Sequence, residues 1–258
     1  MSEMRRPGGK LASRPLHFFW IVDCSGSMYG DKIGAVNCAI REVIPEMKNA
    51  ADNNPNAQLM VRALKFSTGA SWITSAPVNI EEYAWDDLEA GGVTDLGEAY
   101  DLLAAQLSIE QLGERALPPV LVLLSDGQPT DDYKTALEKL KKLPWGKKAV
   151  KIAISIGQDA DDEVLAEFTG NRELVLQANN AEMLVKMIKW ASTAASVVSS
   201  PASIASAGEK NNDGISVSNP VVVDMVDNIP DIDGDDVWKG VYSNEKNLFG
   251  ASYTGIIT

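Results

Sequence analysis

The stretch Phe18-Phe19-Trp20-Ile21-Val22-Asp23-Cys24-Ser25-Gly26-Ser27-Met28 constrains this chain more than any other. An uninterrupted apolar run of this length reads as a buried strand. It stops abruptly at a polar loop that carries one carboxylate and two hydroxyls at alternate positions, Asp23, Ser25 and Ser27. Open α/β sheets bind their ligands at the carboxyl ends of the strands, so this loop is the first candidate site. Three hard oxygen donors this close together suit a small hard cation such as Mg²⁺, which takes oxygen ligands octahedrally and keeps several waters.

The same grammar repeats along the chain. Strand one spans roughly Leu16 to Val22. Ile33, Val36, Ile40, Val43, Ile44 and Met47 follow at helical spacing after Asp31, and Asn53-Asn54-Pro55-Asn56 stops them. Leu59 to Phe66 is strand two, and Ser71 to Thr74 a short edge strand. Pro77 to Ala90 has no clean period. Leu96, Ala99, Leu102, Leu103 and Leu107 form a helix stripe, and Val120 to Leu124 a second fully apolar strand. A helix beginning at Thr130-Asp131-Asp132, a strand from Ala149 to Ile156, a short helix around Val164, Leu165 and Phe168, a strand at Leu174-Val175-Leu176 and a helix from Met183 to Ala191 complete the series. Strands that alternate with helices imply right-handed βαβ crossovers: an α/β fold with a doubly wound, mostly parallel central sheet and helices on both faces. In the doubly wound order, strand one and the Val120 strand are neighbours, and Asp23 and Asp126 sit at the same sheet edge.

Two further stretches complete the candidate site. Gly91-Gly92-Val93-Thr94-Asp95 places a hydroxyl on a glycine-flexed loop before a helix, and Leu124-Ser125-Asp126-Gly127 ends a strand in a carboxylate. Taken singly these have ordinary readings. Ser25 and Ser27 can cap a helix, Thr94 can be an N-cap, and Asp126-Gly127 can be a turn. Asp95 and Asp131 read as helix-start acids favoured by the helix dipole. Taken together and in this order, Asp23-x-Ser25-x-Ser27, Thr94 and Asp126 resemble the metal-ion-dependent adhesion site (MIDAS) of von Willebrand factor A domains. The resemblance spans about Pro15 to Ser196. It implies Ser25 and Ser27 as direct ligands through Oγ, Asp23 and Asp126 as direct or water-mediated ligands, and Thr94 as a ligand that depends on loop state. The implied ion is Mg²⁺, with Mn²⁺ or Ca²⁺ as alternatives. The implied function is non-enzymatic: docking of a partner protein's acidic side chain on the ion.

Within that superfamily, Phe19-Trp20-Ile21-Val22-Asp23 through Met28 and Leu124-Ser125-Asp126-Gly127 are similar to bacterial tellurite-resistance TerY-type proteins. This similarity implies a stress-response or phage-defence setting beside a protein kinase and a PP2C-type phosphatase.

Charge and composition narrow the alternatives. A formal net charge of -13 repels the phosphate backbone and anionic membrane, which disfavours nucleic acid and lipid surfaces as partners. No apolar segment approaches the roughly 18 residues of a membrane span. The stretch Met1 to Arg14 lacks the apolar core of a secretory signal, which points to a cytoplasmic location. Cys24 falls in the metal loop and Cys38 on the apolar side of a helical pattern, so a disulfide is not expected. A metal-dependent phosphatase or hydrolase is the alternative function. Against it, the single histidine, His17, lies at the far end of strand one from the loop, and no phosphate loop or nucleophile elbow is present.

The expected organisation is a mobile tail over residues 1–14, a von Willebrand A domain over 15–198, and a linker with an extension over 199–258. The extension includes Val221-Val222-Val223 and the acidic turn Asp231-Ile232-Asp233-Gly234-Asp235-Asp236, which lacks the glycine and glutamate that a calcium-binding EF-hand loop needs. A cluster of Lys134, Lys139, Lys141, Lys142, Lys147 and Lys148 reads as a solvated helix face.

Overall fold

Strand β1 (Arg14–Asp23) lies at the centre of the sheet because nearly every one of its side chains is buried, whichever way it points. It pairs in parallel with β2 (Ala57–Ser67) on one side and β5 (Val120–Ser125) on the other. The computed structural model describes residues 13–54, 57–198 and 229–230. Strand β3 (Gly69–Trp72) and the short β4 (Val78–Asn79) both pair with β2, and both are antiparallel. Strands β6 (Val150–Ile156) and β7 (Val175–Ala178) extend the parallel part beyond β5. The path is β3-β2-β1-β5-β6-β7, the doubly wound order expected from the sequence, with a mixed edge.

Alternation along β1 divides the core in two. Phe18, Trp20 and Val22 face one layer, which is covered by α1 (Asp31–Asp52) and α7 (Ala181–Val198). Phe19 and Ile21 face the other. That layer is covered by α2 (Leu96–Gln106), the short α3 (Ile109–Leu112), α4 (Tyr133–Lys142), the short α5 (Pro144–Lys148) and α6 (Asp162–Thr169). Each fully buried large apolar side chain contributes about 1.5–3 kcal/mol from removal of its surface from water. Both-face burial of β1 and β5 therefore fixes them at the middle of the sheet, and with them the loops at their carboxyl ends.

Several expectations shift on contact with the structure. The edge strand read at Ser71–Thr74 is observed two residues earlier, at Gly69–Trp72, because the tight turn after Ser67 starts the antiparallel return at once. Helix α4 begins at Tyr133, with Asp132 as its cap accepting from the Thr135 amide, rather than at Thr130. Cys38 is exposed; the buried position beside it in α1 is Asn37. Cys24 is buried and free, and burial, with the neighbouring Asp23 charge, pushes its thiol up to about 12. Within the lysine cluster, Lys134 pairs with Glu167, Lys139 with Asp101 and Lys141 with Glu138, as a solvated face does. Arg14 already belongs to β1, and its guanidinium donates to the Arg115 and Ala116 carbonyls.

The segment Pro77–Ala90 is held at its start by β4 and at its end by one buried side chain. Asn37 donates to the Leu88 carbonyl at 2.9 Å and accepts from the Leu88 amide at 2.9 Å and from Trp85 Nε1 at 3.1 Å. Of the residues after 198, Ile229 packs against the α1–α7 core layer, in a cavity of about 440 Å³ that Val175, Leu176 and Met187 also line. The tail over residues 1–12, the linker and the valine run, and the acidic turn after Pro230 all lie outside the described residues. Among the described residues no helix is long and apolar enough to cross a membrane.

Candidate metal centre

The carboxyl ends of β1 and β5 lie side by side, since Val22 is in register with Leu124. The next residues, Asp23 and Ser125, therefore meet: Ser125 Oγ donates to Asp23 Oδ2 at 2.6 Å. The other Asp23 oxygen accepts the Ser25 backbone amide at 2.8 Å, which folds the loop back on itself as an Asx turn. That turn sets the Ser25 and Ser27 hydroxyls 3.0 Å apart. Ser25 is buried and Ser27 exposed, so the hydroxyl pair runs from the sheet edge to the surface.

The second loop is stitched to the first through the backbone. Cys24 accepts the Gly91 amide at 2.7 Å and Gly92 accepts the Gly26 amide at 3.1 Å. Thr94, two residues after Gly92 on this tied loop, is buried. Its amide donates to Thr130 Oγ1 at 3.1 Å and its carbonyl accepts the Thr130 amide at 2.8 Å, so a third loop holds it from behind.

Asp126 completes the group. It is fully buried, yet neither carboxylate oxygen has a hydrogen-bond partner. Its nearest cation is Lys32 Nζ at 3.5 Å, an ion pair too long to be a hydrogen bond. Gly127 has φ +68°, and a Cβ there would lie 2.6 Å from the Asp161 carbonyl, so only glycine lets the chain turn away from Asp126 at this point. Burial raises the Asp23 carboxyl above its usual range; the hydrogen bonds from Ser125 and Ser25 oppose the rise, and the nearby Asp126 charge adds to it. Asp23 ends β1 and Asp126 follows the last residue of the neighbouring β5, so the two carboxylates belong to the same sheet edge.

Asp95 and Asp131 are engaged elsewhere. Asp95 accepts from the Gly69 amide at 2.7 Å and from Thr130 Oγ1 at 3.2 Å, and it makes no side-chain cap on α2 although it stands at the cap position. Asp131 instead caps α2 from another loop, accepting from Gly97 and Glu98 at 3.0 and 3.1 Å. Ser125 and Lys32 were not singled out from the sequence. A hydroxyl directly before Asp126 was a visible signal for Ser125; nothing local marked Lys32.

The donor set fits a hard divalent ion. A buried carboxylate with two unpartnered oxygens needs a positive partner. The other side chains the sequence brings to this rim are Asp23 and the hydroxyls of Ser25, Ser27 and Thr94, all of them oxygen donors. Among the described residues no group of three or more His, Cys, Asp or Glu gathers. His17 lies six residues back along β1 from Asp23, about 20 Å away at strand rise. It cannot serve as a base at this rim.

A mostly parallel α/β sheet carrying oxygen donors where two central strands end defines a class of folds. The family model of the von Willebrand factor type A domain matches residues 19–190, and the chain belongs to that family. Its fold is similar to that of the pilus adhesin SpaC from Lactobacillus rhamnosus GG in its open conformation, with TM-score 0.57 and 14% identity over 71% of this chain and 30% of that one. It is also similar to a von Willebrand factor type A protein from Catenulispora acidiphila, with TM-score 0.53 and 16% identity over 72% and 43% of the two chains. A third similar structure is proximal thread matrix protein 1 of the mussel byssus with a zinc-occupied MIDAS motif, at TM-score 0.51 and 18% identity over 71% and 48%. The matched region is less than half of each of these chains. No curated protein matches this one.

Proposed function

We propose that this protein is a non-enzymatic, divalent-metal-dependent protein-interaction module. In this reading Asp23, Ser25, Ser27, Thr94 and Asp126 hold a Mg²⁺-type ion, with Mn²⁺ or Ca²⁺ able to replace it. When bound, the ion supplies a Lewis-acid position that accepts a carboxylate from a partner. The chain's own residues prepare that position. Ser125 and the Ser25 amide lock the Asp23 carboxylate in one orientation. The Gly26–Gly92 and Cys24–Gly91 backbone bonds hold the Thr94 loop against the serine loop. The exposed Ser27 marks the side from which a partner approaches.

The observation that carries the reading is Asp126: a buried carboxylate without a hydrogen-bond donor, at the same rim as paired serine hydroxyls. Membership of the von Willebrand factor type A family supports it, as does the likeness in fold to a byssus protein with a zinc-occupied MIDAS motif.

The finer placement proposed is cytoplasmic, in a bacterial stress-response or phage-defence system, beside a protein kinase and a PP2C-type phosphatase. It rests on the resemblance of Phe19–Met28 and Leu124–Gly127 to tellurite-resistance TerY-type proteins. The proposed division of the chain is a tail that ends before β1 at Arg14, the von Willebrand A domain up to residue 198 and an extension over 199–258.

The test is a titration of the full chain with Mn²⁺, followed by capture of partners from the native host with Mg²⁺, with chelator, and with Asp23→Ala. Saturable binding that Asp23→Ala abolishes, and a partner lost in the chelated and mutant samples, is the expected result. A partner retained equally in all three would overturn metal docking. Hydrolysis of a phosphate ester abolished by Asp23→Ala would overturn the non-enzymatic reading.

A further inference from the structure

Lys32 occupies an unfavourable position for a lysine. It is the second residue of α1, where the helix dipole disfavours positive charge. Its side chain is nonetheless only 16% exposed, and it turns back over the sheet edge. Its ammonium lies 3.5 Å from the fully buried Asp126 and 3.3 Å from the largely exposed Asp159. The fold leaves room for this path. Gly157 has φ +96°, and a Cβ there would come within 2.9 Å of Lys32 Cε and 3.0 Å of Nζ. The loop that carries Gly157 and Asp159 is tied to the candidate site itself, because the Asp161 amide donates to the Asp126 carbonyl at 2.8 Å.

We propose that Lys32 is a built-in competitor of the divalent ion, and that Asp159 is the place its ammonium retreats to when the ion binds. This rests on the metal-site reading above. The argument is electrostatic. An ammonium and a divalent cation that share one buried carboxylate repel each other strongly in a low-dielectric setting. Binding the ion therefore carries the cost of moving Lys32 outward. Asp159, in solvent and already within ion-pair distance, receives it. The pair thus weakens metal affinity, keeps loading reversible, and transmits occupancy to the loop between β6 and α6. An accidental surface lysine would need neither the glycine clearance nor two acidic partners at different depths.

The two charges make opposite predictions. Lys32→Gln removes the competitor and binds Mn²⁺ roughly tenfold more tightly than wild type. Asp159→Asn removes the retreat and binds Mn²⁺ more weakly, by about threefold. The double variant binds like Lys32→Gln. In EDTA, Lys32→Gln melts below wild type, since Asp126 loses its cation. The measurements are Mn²⁺ titration by electron paramagnetic resonance and thermal melting of the full chain. If Lys32→Gln binds Mn²⁺ equally or more weakly, Lys32 merely supports Asp126 and the competition is overturned. If wild type binds no Mn²⁺ at all, the metal-site reading fails and the competition falls with it.

Discussion

Ser125 Oγ donates to Asp23 Oδ2 at 2.6 Å across two parallel strands, and both residues are fully buried. This bond joins residues 102 positions apart in the chain and fixes the rotation of the carboxylate that the Asx turn then uses. Ser125→Ala leaves one Asp23 oxygen without its donor. The expected cost is about 1–3 kcal/mol of stability by urea unfolding. Loss of such an orienting partner also weakens metal affinity by roughly tenfold, measured by Mn²⁺ titration. Unchanged affinity together with lowered stability would show that the bond serves the fold alone.

Asp126 and Asp23 are both buried acids, but their environments differ, and so should the effect of neutralising each. Asp23 has donors on both oxygens; Asp126 has none and a single long ion pair. In EDTA, Asp126→Asn removes a poorly compensated buried charge and raises stability by about 1 kcal/mol. Lys32 keeps Asp159 and partial solvation, so it is not stranded. Asp23→Asn places an amide where one of two donors needs an acceptor and lowers stability by about 2 kcal/mol. Both variants lose divalent-ion binding. Thermal melts in EDTA and in Mn²⁺ read the two effects separately.

These contrasts mark where the sequence was legible. β1 and β5 were plain because burial on both faces leaves no polar residue to interrupt the run, and their order followed from alternation with helices. The rim position of Asp23 and Asp126 followed from the same step. Ser125's role was half visible, as a hydroxyl at a strand end. Lys32, Asp159 and the capping of α2 by Asp131 were not, because each depends on a helix start meeting a loop more than thirty residues away. The antiparallel β3 and β4 are too short to show a period. Pro77–Ala90 showed none because beyond the two-residue β4 it is held by side-chain bonds to backbone groups, which leave no repeat in the sequence.

Asn37 is the test of that last point. It is a polar residue on the buried side of α1, and its amide satisfies both backbone groups of Leu88 and the Trp85 indole. Asn37→Leu keeps the volume and removes the bonds. The expected cost is about 3 kcal/mol, the sum of buried polar groups left unpaired. Hydrogen exchange at the Leu88 amide should speed up before global unfolding, whereas Mn²⁺ affinity should hold. A stability loss spread evenly over all amides would argue against a local pin.

His17 gives the fold a pH dependence that owes nothing to the candidate site. It is buried in β1, stacked 6.1 Å from Phe19, with Nδ1 unpartnered. Burial lowers its pKa from 6.5 to about 4. The folded imidazole therefore stays neutral where the unfolded one takes up a proton. Between pH 6.5 and about 4 the unfolded chain binds more protons, so stability falls as pH falls through that window. Above it the contribution is fully present. The shift corresponds to a loss of about 3 kcal/mol across the window. His17→Phe keeps a ring on the buried strand and cannot protonate. Urea unfolding of the two proteins at matched pH values should give curves that run parallel above neutrality and diverge below it, with the variant the less acid-sensitive. A variant as acid-sensitive as wild type would assign the acid lability to other groups.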